Sequence, residues 1–387
     1  MKRIWILIVS VAVIRGLAGP ALNSSIGVLF GAVSRDLGAG LGTVSLFVSV
    51  ASLSGMLVLP AGGALYRAWG LVPVAACGAL LVGGTYMLLG TLSSVPLWCL
   101  LAVPFGIGTA LTVNLLTPLA IGASDSGRSG FYMGLVTACA SLVGAVAHPL
   151  VVYSREALGW RLTAAVVGGA ALALMLPALS LLRRVTGGQV PLRARGRSHR
   201  RSLPLSLHLA LYGFAASMGV MQALHHHLPM LSTVLGLGHG EEGLSLAVSM
   251  AAGGIGALVL GHLSDRWGSV EGACLTLLVG ALSVVFLLFG AGVGGFSLGC
   301  LLHGFALSGI GVNLPAMVRE RCGEDLAREL PRYMIATPLA SVVAVPLIGA
   351  LYDRGVGYAP ALLGMLLLFL FALGLLIFCA RKEKEPT

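Results

Sequence analysis

The sequence predicts an all-α membrane protein: twelve transmembrane helices in two pseudo-symmetric six-helix bundles. Three observations predict it. The composition cannot coat a soluble fold, the apolar runs number six and then six, and short motifs recur between the halves at one fixed offset.

The chain has 387 residues, of which 57% are hydrophobic and 10% charged. An ordinary soluble chain is roughly a quarter charged. Mean hydropathy is +0.96. A cytosolic enzyme, a nucleic-acid binder and a disulfide-rich secreted domain are excluded, because each needs a charged or cross-linked shell. Disorder is excluded by the excess of apolar residues. Gly accounts for 55 residues, about twice the usual share, and small residues let helix backbones approach closely in lipid. The seven Cys form no CxxC and lie mostly in apolar runs, as small buried hydrophobes.

A crossing helix needs ~20 apolar residues to span a ~30 Å core. Runs of that kind fall at 4–33, 43–66, 71–92, 96–123, 130–153 and 162–182. The first is longer than a signal-peptide core of ~7–15 residues and feeds straight into further spans. A polar gap follows, and the runs resume at 204–235, 243–263, 271–292, 295–318, 330–352 and 358–380. Charges or Gly mark most of the turns; those between the third and fourth runs and between the ninth and tenth carry no charge. The domains expected are an N-terminal bundle over 1–182, a basic linker over 183–203, a C-terminal bundle over 204–380 and a tail over 381–387.

Lys and Arg fix the expected orientation. With the N-terminus inside, 19 of the 24 lie in cytoplasmic segments and 4 in outer loops, the remaining one being Arg15 within the first span. That asymmetry predicts both termini in the cytoplasm; the expected location is the cell membrane. The linker holds Arg183, Arg184, Arg193, Arg195, Arg197, Arg200 and Arg201 without an acid. It reads as a topology-fixing segment beside anionic lipid, not a nucleic-acid site.

The turn Gly63-Ala64-Leu65-Tyr66-Arg67-Ala68-Trp69-Gly70 is matched by Gly261-His262-Leu263-Ser264-Asp265-Arg266-Trp267-Gly268, 198 residues on. Gly159-Trp160 and Gly357-Tyr358 share that offset. One offset at equivalent places implies duplication of a six-helix unit, with a substrate site near mid-membrane between the halves.

The Gly-x-Leu-x-Asp-Arg-x-Gly turn at 261–268 resembles the signature of the major facilitator superfamily. The resemblance implies a secondary transporter working by alternating access. Gly261, Asp265, Arg266 and Gly268 would form a cytoplasmic gating motif, the Asp capping or pairing near a helix end and the Arg holding a cytoplasmic contact. The first copy departs from it, with Arg67 at the Asp position and Ala68 at the Arg position. Ser25-Ile26-Gly27-Val28-Leu29-Phe30, Gly159-Trp160-Arg161 and His227-Leu228-Pro229 resemble the monocarboxylate porters and oxalate/formate antiporter-like proteins. This implies a small organic anion as substrate. The acidic-Gly-Gly-aromatic lead of many monocarboxylate porters is absent, and the eighth span carries no Arg or Asp.

All 14 acids fall outside the spans or at their ends, and the stretch Gly144-Ala145-Val146-Ala147-His148-Pro149 lacks the antiporter motif of the fifth span. Both facts weigh against cation export. Arg15 lies ~17 Å into the core, where a permanent charge costs ~2.5–3.5 kcal/mol and usually faces a water-filled cavity. It is the candidate counter-charge for a carboxylate. Asn23, roughly 80° around the same helix, shares its wall. Asn114, Gln222 and Asn313 are amides in apolar helices, open to substrate contact or to helix–helix bonds.

His225, His226 and His227 point ~100° apart on one helix, so they make no one-face metal site. His226 and His227 are the proton-coupling candidates, since a His titrates where no acid is present. His148 and His303 are isolated in the sequence. No metal or cofactor is expected. Without a Gly-rich phosphate loop or paired acids, neither an enzyme nor an ATP-driven pump is expected. The expected partners are a small anionic solute and the lipid bilayer, with the protein acting as a monomer. Symport, exchange and uniport stay open. So do two other functions: export of amphipathic drugs or metabolites, and a non-transporting sensor or scaffold.

Overall fold

The computed structural model describes residues 2–122, 129–186, 204–322 and 326–384. Among them eleven continuous helical stretches are long and apolar enough to cross a membrane. One stretch, 131–186, breaks at Gly159, whose φ of 75° is open to Gly at no steric cost. It therefore makes two crossings, and the total is twelve. In order the spans are α1 Arg3–Leu37, α2 Leu41–Trp69, α3 Leu71–Leu89, α4 Val95–Ile121, α5 at 131–158 and α6 at 160–186. The second half holds α7 Leu205–Val234, α8 His239–Trp267, α9 Ser269–Phe289, α10 Gly292–Arg321, α11 Arg332–Asp353 and α12 Ala359–Arg381.

The helices run a little past the apolar runs. α6 takes Arg183 and Arg184 into its last turn, where cations complement the C-terminal dipole. Of the expected linker, 187–203 lies outside the described residues. The last helix continues to Lys384, beyond the predicted edge of the bundle at 380.

The predicted repeat is visible in the backbone. α2 and α8 are each 29 residues long, and both ends are offset by 198, from 41 to 239 and from 69 to 267. The glycines that close them, Gly70 and Gly268, have φ of 87° and 116°. Gly159 and Gly357 have φ of 75° and 77°. The duplicated units thus turn at the same places by the same conformation.

Large apolar side chains such as Leu57, Leu80, Leu142, Ile255 and Leu367 stay exposed. In a chain with so few charges, that is the surface lipid would cover. Much of the interior is closed by small residues and by polar groups bonded between helices, such as Tyr66 to the Leu111 carbonyl and Trp98 to the Val44 carbonyl.

The halves meet along α2–α11, α5–α8 and α1–α7. Gly42 packs on Gly349 and Ala350. Ser45 and Ser49 donate to the carbonyls of Val345 and Val342 at 3.4 and 2.7 Å. On the other side, Gly243 packs on Pro149, and Gly254 on Ala138 and Ser141. Between them, a Cβ on Gly27 of α1 would sit 2.1 Å from the His226 carbonyl oxygen of α7. Only Gly permits that approach. The bonds just named gather toward the end of the bundle opposite the two termini.

Candidate functional site

Two stretches depart from α-helical winding, Leu17–Asn23 in α1 and Ala110–Leu115 in α4, and both are π-helical. Wide turns of this kind loosen the regular ladder and recur at functional sites. Pro20 inside the first removes a donor. The two stretches touch where Gly19 faces the Val113 side chain.

Arg15 sits two residues before the first π stretch and reaches the second. Its Nη1 donates to the Val113 carbonyl at 2.8 Å and to Thr117 Oγ1 at 3.3 Å. The residue is half-buried. Among the described residues it has no acidic partner. The guanidinium is therefore anchored through one nitrogen, with the Nε–Nη2 edge uncommitted.

The other predicted site residues separate into different settings. Asn114 follows Val113 in the second π stretch and is exposed; Asn23 ends the first and is half-buried. Gln222 is half-buried on α7, one turn before His225 and His226. Asn313 is fully engaged. Its Oδ1 accepts from Ser264 at 2.7 Å, and its Nδ2 donates to the Gly272 carbonyl at 3.0 Å and to Thr276 at 2.6 Å. It ties α10 to α8 and α9, which uses the polar atoms a substrate would need.

The gating motif is only partly engaged. Gly268 makes the positive-φ turn, while Asp265 and Arg266 are exposed and unbonded among the described residues. The capping expected of Asp265 is done by Glu320, which accepts from the Ser269 amide at 3.2 Å and its hydroxyl at 2.5 Å. A carboxylate reaching from α10 to the first turn of α9 meets two donors and the positive end of that helix.

His227 is also engaged at both nitrogens. Nε2 donates to the Val345 carbonyl at 2.9 Å, so Nδ1 is the acceptor, facing the Tyr358 hydroxyl at 3.5 Å. This His clamps α7 to α11 and to the start of α12. His226 is buried, with Nδ1 unpartnered among the described residues.

The sequence spacing did not bring out a further group. His148 of α5, His225 of α7 and His303 of α10 converge. Ring centroids are 5.9 Å apart for His148–His225 and 5.6 Å for His225–His303, the latter pair nearly parallel. All three are at most 2% exposed. Three His on three helices share no periodicity, so only the packing unites them.

Beyond the site, the end opposite the termini is latched by charge. Arg155 of α5 meets Glu242 of α8 at 3.0 Å, and the carboxylate is buried. Arg155 Nη1 also donates to the Val28 carbonyl at 2.9 Å. Asp353 of α11 accepts from the Leu41 and Gly42 amides at 2.7 and 2.8 Å.

The profile of the Major Facilitator Superfamily matches residues 4–330. The structure is similar to the nucleoside transporter NupG, with a TM-score of 0.71 at 13% identity over 100% of both chains. It is similar, too, to a bacterial homologue of the human lysosomal transporter Spinster in an inward-facing, unoccupied conformation. That match has a TM-score of 0.70 at 11% identity, covering 98% of this chain and 97% of the other. Twelve crossings, a duplicated six-helix unit and a profile match over most of the length agree: the chain belongs to the major facilitator superfamily of membrane transporters and is not an enzyme.

Proposed function

We propose that the protein carries a small organic anion of the monocarboxylate class across the cell membrane by alternating access, with Arg15 as the counter-charge. One observation carries this reading: a permanent cation inside the membrane, half-buried, with no acidic partner among the described residues. A buried charge left without a counter-ion is costly, so the site favours a guest that brings one. The free Nε–Nη2 edge matches the two oxygens of a carboxylate. Asn114 and Asn23, on the neighbouring π stretches, supply polar contacts, and Gln222 supplies one from the other half.

The 19-to-4 distribution of Lys and Arg supports cytoplasmic termini. On that orientation the latched end is the outer one.

The test is uptake into proteoliposomes of labelled monocarboxylates, dicarboxylates and hydrophobic cations, beside empty liposomes. Saturable uptake of monocarboxylates is expected. Saturable movement of the cations with none of the carboxylates would replace this reading with the exporter one and leave Arg15 structural.

A further inference from the structure

We propose that His148, His225 and His303 form the proton-binding site of this transporter, placed between the halves just beneath the outer latch. The proposal rests on the transport reading above but not on the identity of the solute.

The chemistry starts from tautomers. His148 Nδ1 lies 2.9 Å from the Gly144 carbonyl oxygen, which only accepts. Nδ1 therefore carries the hydrogen, and Nε2 presents a bare lone pair. Among the described residues that Nε2 has no hydrogen-bond partner, and neither ring nitrogen of His225 or of His303 has one. The Ser24 backbone lies beside His148 without hydrogen-bond geometry. Five buried ring nitrogens without partners are rare in a packed interior, where polar groups are nearly always paired. They mark a place that takes a polar guest in some state of the protein.

The guest is small. The residues are at most 2% exposed, and the rings pack against one another. Among the described residues, no group of three donors is arranged to hold a metal ion. A proton, with water to hydrate it, fits these limits.

The charged surroundings agree. On α7 the neighbours are His226, with its ring 6.1 Å from His225, and then His227, which is committed to α11. α5 brings Arg155 two turns further out, paired with Glu242 of α8. Asp353 of α11 is bound to the start of α2. Arg15 of α1 lies nine residues before Ser24, roughly 13 Å along the helix. Among the described residues no carboxylate touches the cluster, so an added proton is not neutralised there. Imidazolium rings about 6 Å apart repel, so the cluster takes one proton in preference to two.

A mechanism follows. His148 belongs to the N-terminal half, and His225 and His303 to the C-terminal half. A proton arriving on Nε2 of His148, or on the facing His225, creates a charge that needs water. Parting the halves at the outer latch admits that water. Protonation therefore favours the outward-open state. Release to the cytoplasm restores the neutral, dry contact seen here. The proton is conserved throughout and no bond but N–H is made or broken.

The test needs no solute: hydrogen–deuterium exchange by mass spectrometry on the full chain in lipid nanodiscs, at pH 8 and pH 5.5, corrected for intrinsic exchange. The amides of Leu41 and Gly42, bonded to Asp353, report the latch. Their protection is expected to fall at least tenfold at pH 5.5 in the wild type. It should change less than twofold in His148→Gln, His225→Gln and His303→Gln. Protection at pH 8 equal to wild type verifies that each variant is folded. If one Gln variant fails that check, its Asn counterpart takes its place. No pH response in the wild type, or an undiminished response in the folded variants, would overturn the proposal. Failure of carboxylate uptake, by contrast, bears only on the substrate reading.

Discussion

Arg155 and Asp353 occupy equivalent positions in the two halves, 198 residues apart, and each ties its helix to the start of a facing helix in the other half. Asp353 accepts from the first amides of α2, Leu41 and Gly42. Arg155 pairs with Glu242 in the first turn of α8 and contacts His239, the residue equivalent to Leu41. The duplicated fold thus latches the same end twice, with opposite charges. One latch uses the positive end of a helix directly. The other uses a side-chain carboxylate within the first turn.

The two latches should differ in cost when cut. In Arg155→Ala, Glu242 keeps its charge in a buried place without its partner. A loss of about 3 kcal/mol is expected from breaking such a pair. Asp353→Ala leaves two exchangeable amides nearer the surface, with an expected loss of about 1–2 kcal/mol. Thermal unfolding in detergent measures both. The double variant Arg155→Ala with Glu242→Gln should recover part of the first loss, since the stranded carboxylate is gone.

Gly27 sets how closely α1 and α7 approach. A Cβ there would overlap the His226 carbonyl, and a backbone atom does not rotate away. Gly27→Ala should hold the outer end apart, slow transport at least tenfold and raise exchange at Leu41 and Gly42. Gly31→Ala is the control. Its Cβ would meet the Met230 sulfur at 3.3 Å, on a side chain that yields. Near wild-type transport is expected.

Asn313 separates a structural role from a substrate role. Asn313→Ala strips partners from Ser264 and from the Gly272 carbonyl in a buried setting. A destabilisation of about 2–3 kcal/mol is expected. The apparent affinity for solute should stay within twofold of wild type. Thermal unfolding beside solute titration decides; a large rise in KM with unchanged stability would return Asn313 to the site.

Much of the architecture was legible because membrane helices obey simple demands. The twelve crossings follow from run length, and the offset of 198 read from Gly159-Trp160 and Gly357-Tyr358 reappears in matched backbone angles. The ends were less sharp. α1 continues past 33 through Arg35 and Asp36, since polar side chains at a helix end reach out of the core while the backbone keeps its bonds. The site was legible only in part. Arg15 announced itself by charge, but its anchor is the carbonyl of Val113 in a π stretch, and no side-chain pattern encodes a wide turn. His226 and His227 stood out as neighbours in sequence. The convergent group is instead His148, His225 and His303, which only the packing of α5, α7 and α10 assembles. The buried ring atoms left without partners were the signal, and they exist only in three dimensions.

The central claim is that Arg15 holds the anion, and counterflow tests it most directly. Liposomes preloaded with unlabelled monocarboxylate take up labelled solute with no net charge or proton movement, so coupling does not enter. With wild-type folding verified by hydrogen exchange, Arg15→Gln should lower kcat/KM for counterflow by about a hundredfold, close to 2.7 kcal/mol. Arg15→Lys, which keeps the charge and loses the two-pronged edge, should fall between. Counterflow by a folded Arg15→Gln protein at the wild-type rate would contradict the account.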